Sequence, residues 1–358
     1  MRGTPLPVWL VAGVGVLDSR ATGRHGGHLT WLFTVESDAE DPVLQGSRGA
    51  GVCIDAGLTL HCTATISVDG RTGITANLRG GDADPVLGRL YGEVIRQSVG
   101  CSDAVNGRDW HFEVVPDLPM SQGFGLSAAG AIAAARCVLQ IAGTTGEIDP
   151  EGAACAIAHL VERRLSGGLG DVSGLSVGGV ERRLAPGAPH HMDPTSIRAA
   201  SLLSGPGRAE GFSADAPVVL CWRGAAAHHT SEYIDDADWQ VRIRNAGSRC
   251  MDSLGRGEWD ASRWSELLDR SEWFAEQSGL LADSMRADLL SIAKRSIDST
   301  GAPARAMLCM LGESISIVPD RLDADHSWAA AVIEALRDAG LTVLQTGIAP
   351  AVSRPKPE

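Results

Sequence analysis

The chain contains no run of the roughly 18–20 apolar residues that a membrane-spanning helix needs. Its longest apolar opening, residues 6–17, is short, holds Pro7 and is followed by Asp18 and Arg20 without a clear cleavage site, which argues against a secretory signal. Paired cysteines are absent too. The eight cysteines (53, 62, 101, 137, 155, 221, 250 and 309) stand singly, with no Cys-x-x-Cys pair and no Cys/His ligand spacing, so a structural zinc site is not expected. Most lie in apolar stretches and read as buried, reduced thiols of a cytoplasmic protein. No Lys/Arg cluster offsets the formal net charge of −13, which argues against general nucleic-acid binding. An anionic ligand must therefore be drawn in locally. Repeats and low-complexity segments are also missing.

What is present is ordinary for a globular protein: 358 residues, 44% apolar and 21% charged, enough for about two domains. Alternation predicts strands over 58–68 and 110–115, and a partner strand over 74–78 after the Asp69-Gly70 turn signal. Helical spacing covers 84–99, 127–142 and 150–164, and glycines within 172–184 suggest a strand pair. A Pro/Gly/His stretch at 186–194 is the expected domain boundary. Beyond it, helices are expected near 236–255, 260–279, 284–299 and 325–339, among strands near 199–204, 216–222, 304–310, 313–318 and 341–346. Strands interleaved with helices predict an α+β sandwich in this half. The tail from residue 351 reads as frayed.

The most informative segment runs from Pro119 to Ala131: Pro-Met-Ser-Gln-Gly-Phe-Gly-Leu-Ser-Ala-Ala-Gly-Ala. Gly123 and Gly125 let the backbone approach a ligand, and the helix that follows aims its free N–H groups and positive dipole end at the loop. That pairing makes a phosphate cradle. A plain strand-to-helix turn with Ser127 as N-cap is the alternative from this loop alone. The P-loop does not fit, because Leu126 stands where a Lys is required. The dinucleotide fingerprint does not fit either, because Glu147 does not end a strand. Two further segments bear on the same site: Gly46-Ser47-Arg48-Gly49-Ala50-Gly51 and Gly168-Leu169-Gly170-Asp171-Val172. Glu162, near the end of the 150–164 helix, can meet Asp171 if the glycine-rich connection folds back. Read singly, Glu162 is a solvated helix-end charge and Asp171 a turn aspartate. His159 shares a helical face with Glu162 but in isolation is a structural histidine.

Together the three glycine loops resemble those of the GHMP kinase superfamily, and most closely its archaeal pantoate kinases, over most of residues 27–320. The resemblance implies a two-domain α+β GHMP kinase fold, with a ribosomal protein S5 domain 2-like N-terminal domain over 25–190 and a ferredoxin-like C-terminal domain over 191–350. Residues 1–24 then form an N-terminal extension and 351–358 a tail. The implied activity is transfer of the γ-phosphoryl group of ATP, with Mg²⁺, to the primary hydroxyl of (R)-pantoate, giving 4-phosphopantoate for coenzyme A biosynthesis. The nucleotide would lie on Pro119, Gly123, Phe124, Gly125, Leu126, Ser127 and Ala128. Ser127 and Glu162 would hold Mg²⁺, Asp171 would be the base, and Ser47, His159 and Arg183 would hold pantoate. Arg182 is adjacent to Arg183 and the sequence does not separate the two with certainty; nor does it decide whether Arg48 braces its loop. A cytoplasmic homodimer without nucleic-acid or membrane partners is implied. Two rival readings stand beside this one: a GHMP kinase for another small hydroxy acid such as mevalonate, and a GHMP-fold ligand-binding protein without catalysis. Several residues depart from the pattern. Phe124 replaces a Leu, Leu126 a Ser, Trp31 and Leu32 are bulky, and Glu313 in Met310-Leu311-Gly312-Glu313-Ser314 brings a negative charge where a neutral Asn is expected.

Overall fold

The computed structural model describes residues 18–144, 149–192, 202–224 and 237–352. The chain opens with two long strands, β1 (Ser19–Phe33) and β2 (Gly49–Ile66), then β3 (Gly73–Leu78), helix α1 (Pro85–Ser98) and strand β4 (Arg108–Pro116). Helices α2 (Leu126–Ala142) and α3 (Pro150–Arg164) follow, then a short helix α4 (Asp171–Leu175) and strands β5 (Val180–Ala185), β6 (His190–Met192), β7 (Leu202–Ser204) and β8 (Arg208–Phe212). The second half holds β9 (Pro217–Trp222), helices α5 (Ala237–Leu254), α6 (Trp264–Gln277) and α7 (Ser284–Thr300), strands β10 (Ala304–Leu308) and β11 (Ser314–Pro319), helix α8 (Trp328–Asp338) and strand β12 (Thr342–Gly347).

Local signals account for the helices. Asp84 caps α1, its Oδ1 accepting from the Val86 (2.7 Å) and Leu87 (3.2 Å) N–H groups, with Pro85 in the first turn. Asp149 and Pro150 start α3 in the same way. Helix α2 is buried nearly all round, and its alanines let it sit close between the first sheet and helices α1 and α3. Tyr91 of α1 stacks on Phe112 of β4 with ring centroids 4.9 Å apart.

The first sheet has the order β3-β4-β2-β5-β8, with β1 paired to β2. Strand β2 is shared lengthwise: Leu58–Ile66 pairs with β4, and Gly49–Val52 pairs with β5. Four expectations change here. Strand β3 is not the hairpin partner of β2, because β4 lies between them and pairs with β3 in parallel. The 172–184 segment is not a strand pair. Gly174 N–H bonds to the Gly170 carbonyl as a helix turn does, and only β5 is a strand. The first sheet also runs past the 186–194 stretch, since β8 pairs with β5. Residues 19–24, expected to lie in an N-terminal extension, belong to the first sheet: Ser19 to Arg24 pair with Ala64 to Thr59 of β2. Residues 1–17 and the tail from 353 lie outside the described residues.

The second sheet is antiparallel, in the order β10-β11-β9-β12, with α7 and α8 packed on it, the α+β sandwich expected of this half. The start of the chain ties the two sheets together. Trp31 is fully buried, donates through Nε1 to Ser316 Oγ at 3.0 Å and meets Trp264 edge-on. Phe33 packs on Phe274. The bulky residues at 31–33 are thus an interface. Among the described residues no helix is long and apolar enough to cross a membrane, and all eight cysteines are buried and outside any disulfide.

Candidate active site

The loop before α2 turns through three left-handed residues, Ser121 (φ +63°), Gly123 (φ +83°) and Gly125 (φ +63°). Gly125 is the N-cap of α2, so Ser127 is not a cap and its hydroxyl is free for another partner. The N–H groups of the first turn and the positive end of a 17-residue helix face the loop. Phe124 anchors the loop by packing edge-on against Trp222 of the second sheet. The loop and the first turn form one wall of a cleft of about 440 Å³, which Pro119, Gly123, Phe124, Gly125, Leu126 and Ser127 all line. Ala128 lies behind that wall, buried.

The 310–314 segment braces this wall from the second half. Buried Arg286 donates from Nε to the Gly312 carbonyl (3.0 Å) and from Nη2 to the Leu311 carbonyl (3.2 Å). Ser314 Oγ donates to the Gln122 carbonyl. Met310 and Leu311 line the cleft, whereas Glu313 is buried and does not. The extra negative charge is kept off the cleft surface.

Opposite the helix terminus, loop 166–170 folds back from α3, as the glycine spacing suggests. Ser127 Oγ donates to Glu162 Oε2 at 3.2 Å, and the Gly168 N–H donates to the same oxygen at 2.6 Å. Asp171 opens α4 from the far end of the loop and lines the cleft with 20% of its side chain exposed. Gly168 is required here, because a Cβ would collide with Asp171 Oδ2. The chain thus brings Ser127, Glu162 and Asp171 to one cleft. Burial, then the nearby Asp171 charge, push Glu162 up to about 7, against the weaker pull of the Gly168 and Ser127 hydrogen bonds. Burial would also raise Asp171, but the hydrogen bond and charge of His28, then Arg183 and Thr30, hold it below the usual carboxylate value.

The three residues expected at the acid sit differently. Ser47 lines the cleft, its Oγ against the Cα of Gly170. Arg183 has no exposed surface and does not line the cleft. Its Nη1 lies 3.0 Å from Glu181 Oε1 and its Nη2 donates to the Leu32 carbonyl at 3.3 Å, while its Nε has no partner. A Cβ on Gly170 would come within 2.8 Å of that Nε, on the side where it also meets Ser47 Oγ. His159 does not face the cleft, which corrects the expectation from its helical spacing. It is buried, its Nε2 sits 2.9 Å from the Pro42 carbonyl, and burial pushes its pKa down to about 4, so the neutral ring supports the loop that carries Ser47. Arg182 points elsewhere, to Glu210 and to the carbonyls of Leu254 and Gly257. Arg48 does brace its loop, donating to Ser248 Oγ at 3.0 Å.

Sequence reasoning gave no role to His28, Thr30 or Glu181. His28 bridges Asp171 and Glu181, and Thr30 Oγ1 donates to Asp171 Oδ1 at 3.4 Å. A signal existed. Positions 28 and 30 of β1, and 181 and 183 of β5, are polar residues two apart in a strand, which puts each pair on one face. Among the described residues no group of three His, Cys, Asp or Glu could hold a metal by itself. Glu162 and Ser127 offer two oxygen ligands, the pattern of a Mg²⁺ ion that takes its remaining ligands from phosphates and water.

Residues 92–179 match the family described as the GHMP kinases N terminal domain. The chain is 30% identical over 172 residues to the pantoate kinase of Thermococcus kodakarensis, a match covering 45% of this chain and 51% of that protein. It therefore spans about half the length of this curated relative. A solved phosphotransferase related to the CoA biosynthesis pathway superposes with a TM-score of 0.72 at 23% identity, covering 92% of this chain and 96% of that one. L. major mevalonate kinase in complex with R-mevalonate gives a TM-score of 0.57 at 12% identity, covering 94% and 98%. Streptococcus pneumoniae phosphomevalonate kinase gives 0.56 at 12%, covering 93% and 99%. At these identities the structural likenesses show the fold alone: the α+β fold of the GHMP kinases, over nearly the whole chain.

Proposed function

We propose that this chain, a GHMP-fold protein with the family's N-terminal domain at residues 92–179, is an ATP-dependent kinase for a small hydroxy acid, with (R)-pantoate as its substrate. The observation that carries the proposal is the convergence of Ser127 Oγ, Glu162 and Asp171 beside the N-terminus of α2. The pantoate kinase relative supports the acceptor assignment. Phosphoryl transfer asks for a held γ-phosphate, neutralised charge and an aimed hydroxyl. The first turn of α2 and the loop from Pro119 are suited to the phosphates. Glu162 and Ser127 would hold Mg²⁺, which when bound supplies charge neutralisation at the phosphates. Asp171 Oδ1 is engaged by His28 and Thr30, so Oδ2 is the oxygen for the acceptor. The acceptor O–H bond breaks, its proton goes to Oδ2, the oxygen bonds to the γ-phosphorus, and ADP leaves with the electrons of the broken P–O bond. Ser47 Oγ on the cleft wall is the donor for the acid's carboxylate, and the unpartnered Arg183 Nε, over the same face of Gly170, is the cation beside it. His159 acts through the Ser47 loop. Eight buried cysteines outside any disulfide fit a cytoplasmic setting, and a homodimer belongs to the same proposal.

The test is ADP release with Mg·ATP across a panel of hydroxy acids. Pantoate should turn over, and pantothenate and mevalonate should give very little. Equal turnover of mevalonate reverses the substrate assignment, and no ADP with any acid leaves the ligand-binding alternative.

A further inference from the structure

A buried ionic cluster lies behind Asp171. His28 has no exposed surface, with Nδ1 2.7 Å from Asp171 Oδ1 and Nε2 3.0 Å from Glu181 Oε1. A neutral imidazole carries one N–H, so between two carboxylates it satisfies one and turns a lone pair toward the other. An imidazolium donates to both. Arg183 approaches the same Glu181 oxygen at 3.0 Å and His28 Nε2 at 3.4 Å. Two carboxylates, one imidazolium and one guanidinium sum to zero. A neutral His28 would leave a buried negative charge uncompensated, the costly case.

The groups facing this cluster come from every surrounding element. Asp171 stands on α4, Glu181 and Arg183 on β5, Cys53 on β2, and Glu162 faces Asp171 from α3. Burial, then Glu181, hold the Cys53 thiol well above its ordinary value, so it adds no charge. Burial alone would lower the His28 pKa, but the hydrogen bonds and charges of Asp171 and Glu181 prevail and raise it.

We infer that Glu181 is a positioning residue for the base: by keeping His28 charged, it anchors Asp171 Oδ1 as an anion and leaves Oδ2 to the acceptor hydroxyl. The inference rests on the kinase reading for its consequence, while the charge state of His28 stands on geometry alone. Thr30 Oγ1, 3.3 Å from His28 Nδ1, braces the same oxygen from the cleft side. Glu181 is fully buried and touches no substrate, so its effect must pass through the imidazole.

The experiment has two arms on the full chain, comparing the parent with Glu181→Gln and Glu181→Asp. The first is an NMR titration of the His28 ring without ligand or metal. The parent ring should stay an imidazolium through neutral pH. In E181Q its midpoint should fall by at least about one pH unit, and E181D should restore most of it. The second is the pH profile of kcat for ADP release. The required form of His28 exists below its pKa, so activity falls on the alkaline side. That limb should move to lower pH in E181Q by the same amount, with KM for ATP unchanged. A parent His28 already neutral at pH 6, or an alkaline limb that does not move, overturns the inference. If the parent releases no ADP with any acid, the kinase reading fails by itself, and the ring titration still decides the cluster. If E181Q does not fold, E181D carries both arms with a smaller displacement in the same direction.

Discussion

Glu162→Gln should make the ligand-free protein more stable while removing its activity, and the gain should grow with pH. Glu162 is 2% exposed, and its pKa rises from 4.5 to about 7, through burial first and the Asp171 charge second. The folded chain therefore binds this proton more tightly than the unfolded chain does. The stabilising contribution is full below the unfolded value and is lost as pH rises to and through the folded one. Each pH unit between the two values is worth about 1.4 kcal/mol, so the ionised carboxylate destabilises the fold by about 3 kcal/mol at pH 8.5 and about 1 kcal/mol at pH 5. Gln is uncharged at both. It keeps the shape, and its carbonyl oxygen can still accept from both the Gly168 N–H and the Ser127 hydroxyl. Urea unfolding of parent and variant, followed by tryptophan fluorescence, reads the difference. His25 and His159, both pushed down to about 4 by burial, titrate in parent and variant alike and cancel from the comparison. The E162Q midpoint should exceed the parent's at both values, with the larger gap at pH 8.5. A gap that does not change with pH, or a variant less stable than the parent at pH 8.5, refutes the claim that burial and Asp171 keep Glu162 largely protonated below neutrality.

Asp171→Asn should lower kcat by at least about 10²-fold, the scale of a lost general base, with KM for ATP near the parent value. Steady-state kinetics at saturating acid checks it, and near-parent turnover removes Asp171 as the base. Gly170→Ala should raise KM for the acid at least about tenfold, because the new methyl collides with Ser47 Oγ and sits 2.8 Å from Arg183 Nε. The same kinetics with ATP varied is the control: a rise confined to KM for ATP would move this corner of the cleft to the nucleotide.

What could be read from the sequence was what short stretches decide. The glycine loop before α2, the Asp-Pro starts of α1 and α3, and the turn that returns Asp171 to Glu162 all depend on neighbours within about ten residues, and their residue types announce the geometry. The insertion of β4 between β2 and β3 was not legible, because turn chemistry next to β3 says nothing about a strand thirty residues on. Helix α4 was hidden because Gly174, with Gly178 and Gly179 beyond it, reads as part of a strand pair, and the helix turn shows only once Asp171 packs against His28. His159 was misplaced for a different reason. Residues three apart share a face, but they differ by about 4.5 Å along the axis, and that rise sends one to the cleft and the other to the Pro42 loop. His28 is 143 residues from Asp171 and 153 from Glu181, so their meeting is a property of the tertiary fold alone.

The cleft holds two carboxylates with opposite tendencies, and the difference lies chiefly in their partners. Glu162 is given neutral donors, a hydroxyl and a backbone N–H, with Arg163 a weaker influence, while the nearby anion of Asp171 works against its ionisation. Asp171 is given an imidazolium, with a guanidinium behind it. Environments that push two titratable groups apart divide their chemical roles. Glu162 is thereby the group that can exchange a proton for a cation near neutral pH. Asp171 stays ionised through the same range and remains able to accept the proton of an incoming hydroxyl. Were the two partner sets exchanged, the carboxylate proposed for the metal would be ionised at all times and the proposed base already protonated near neutrality, an arrangement unable to take up the acceptor's proton.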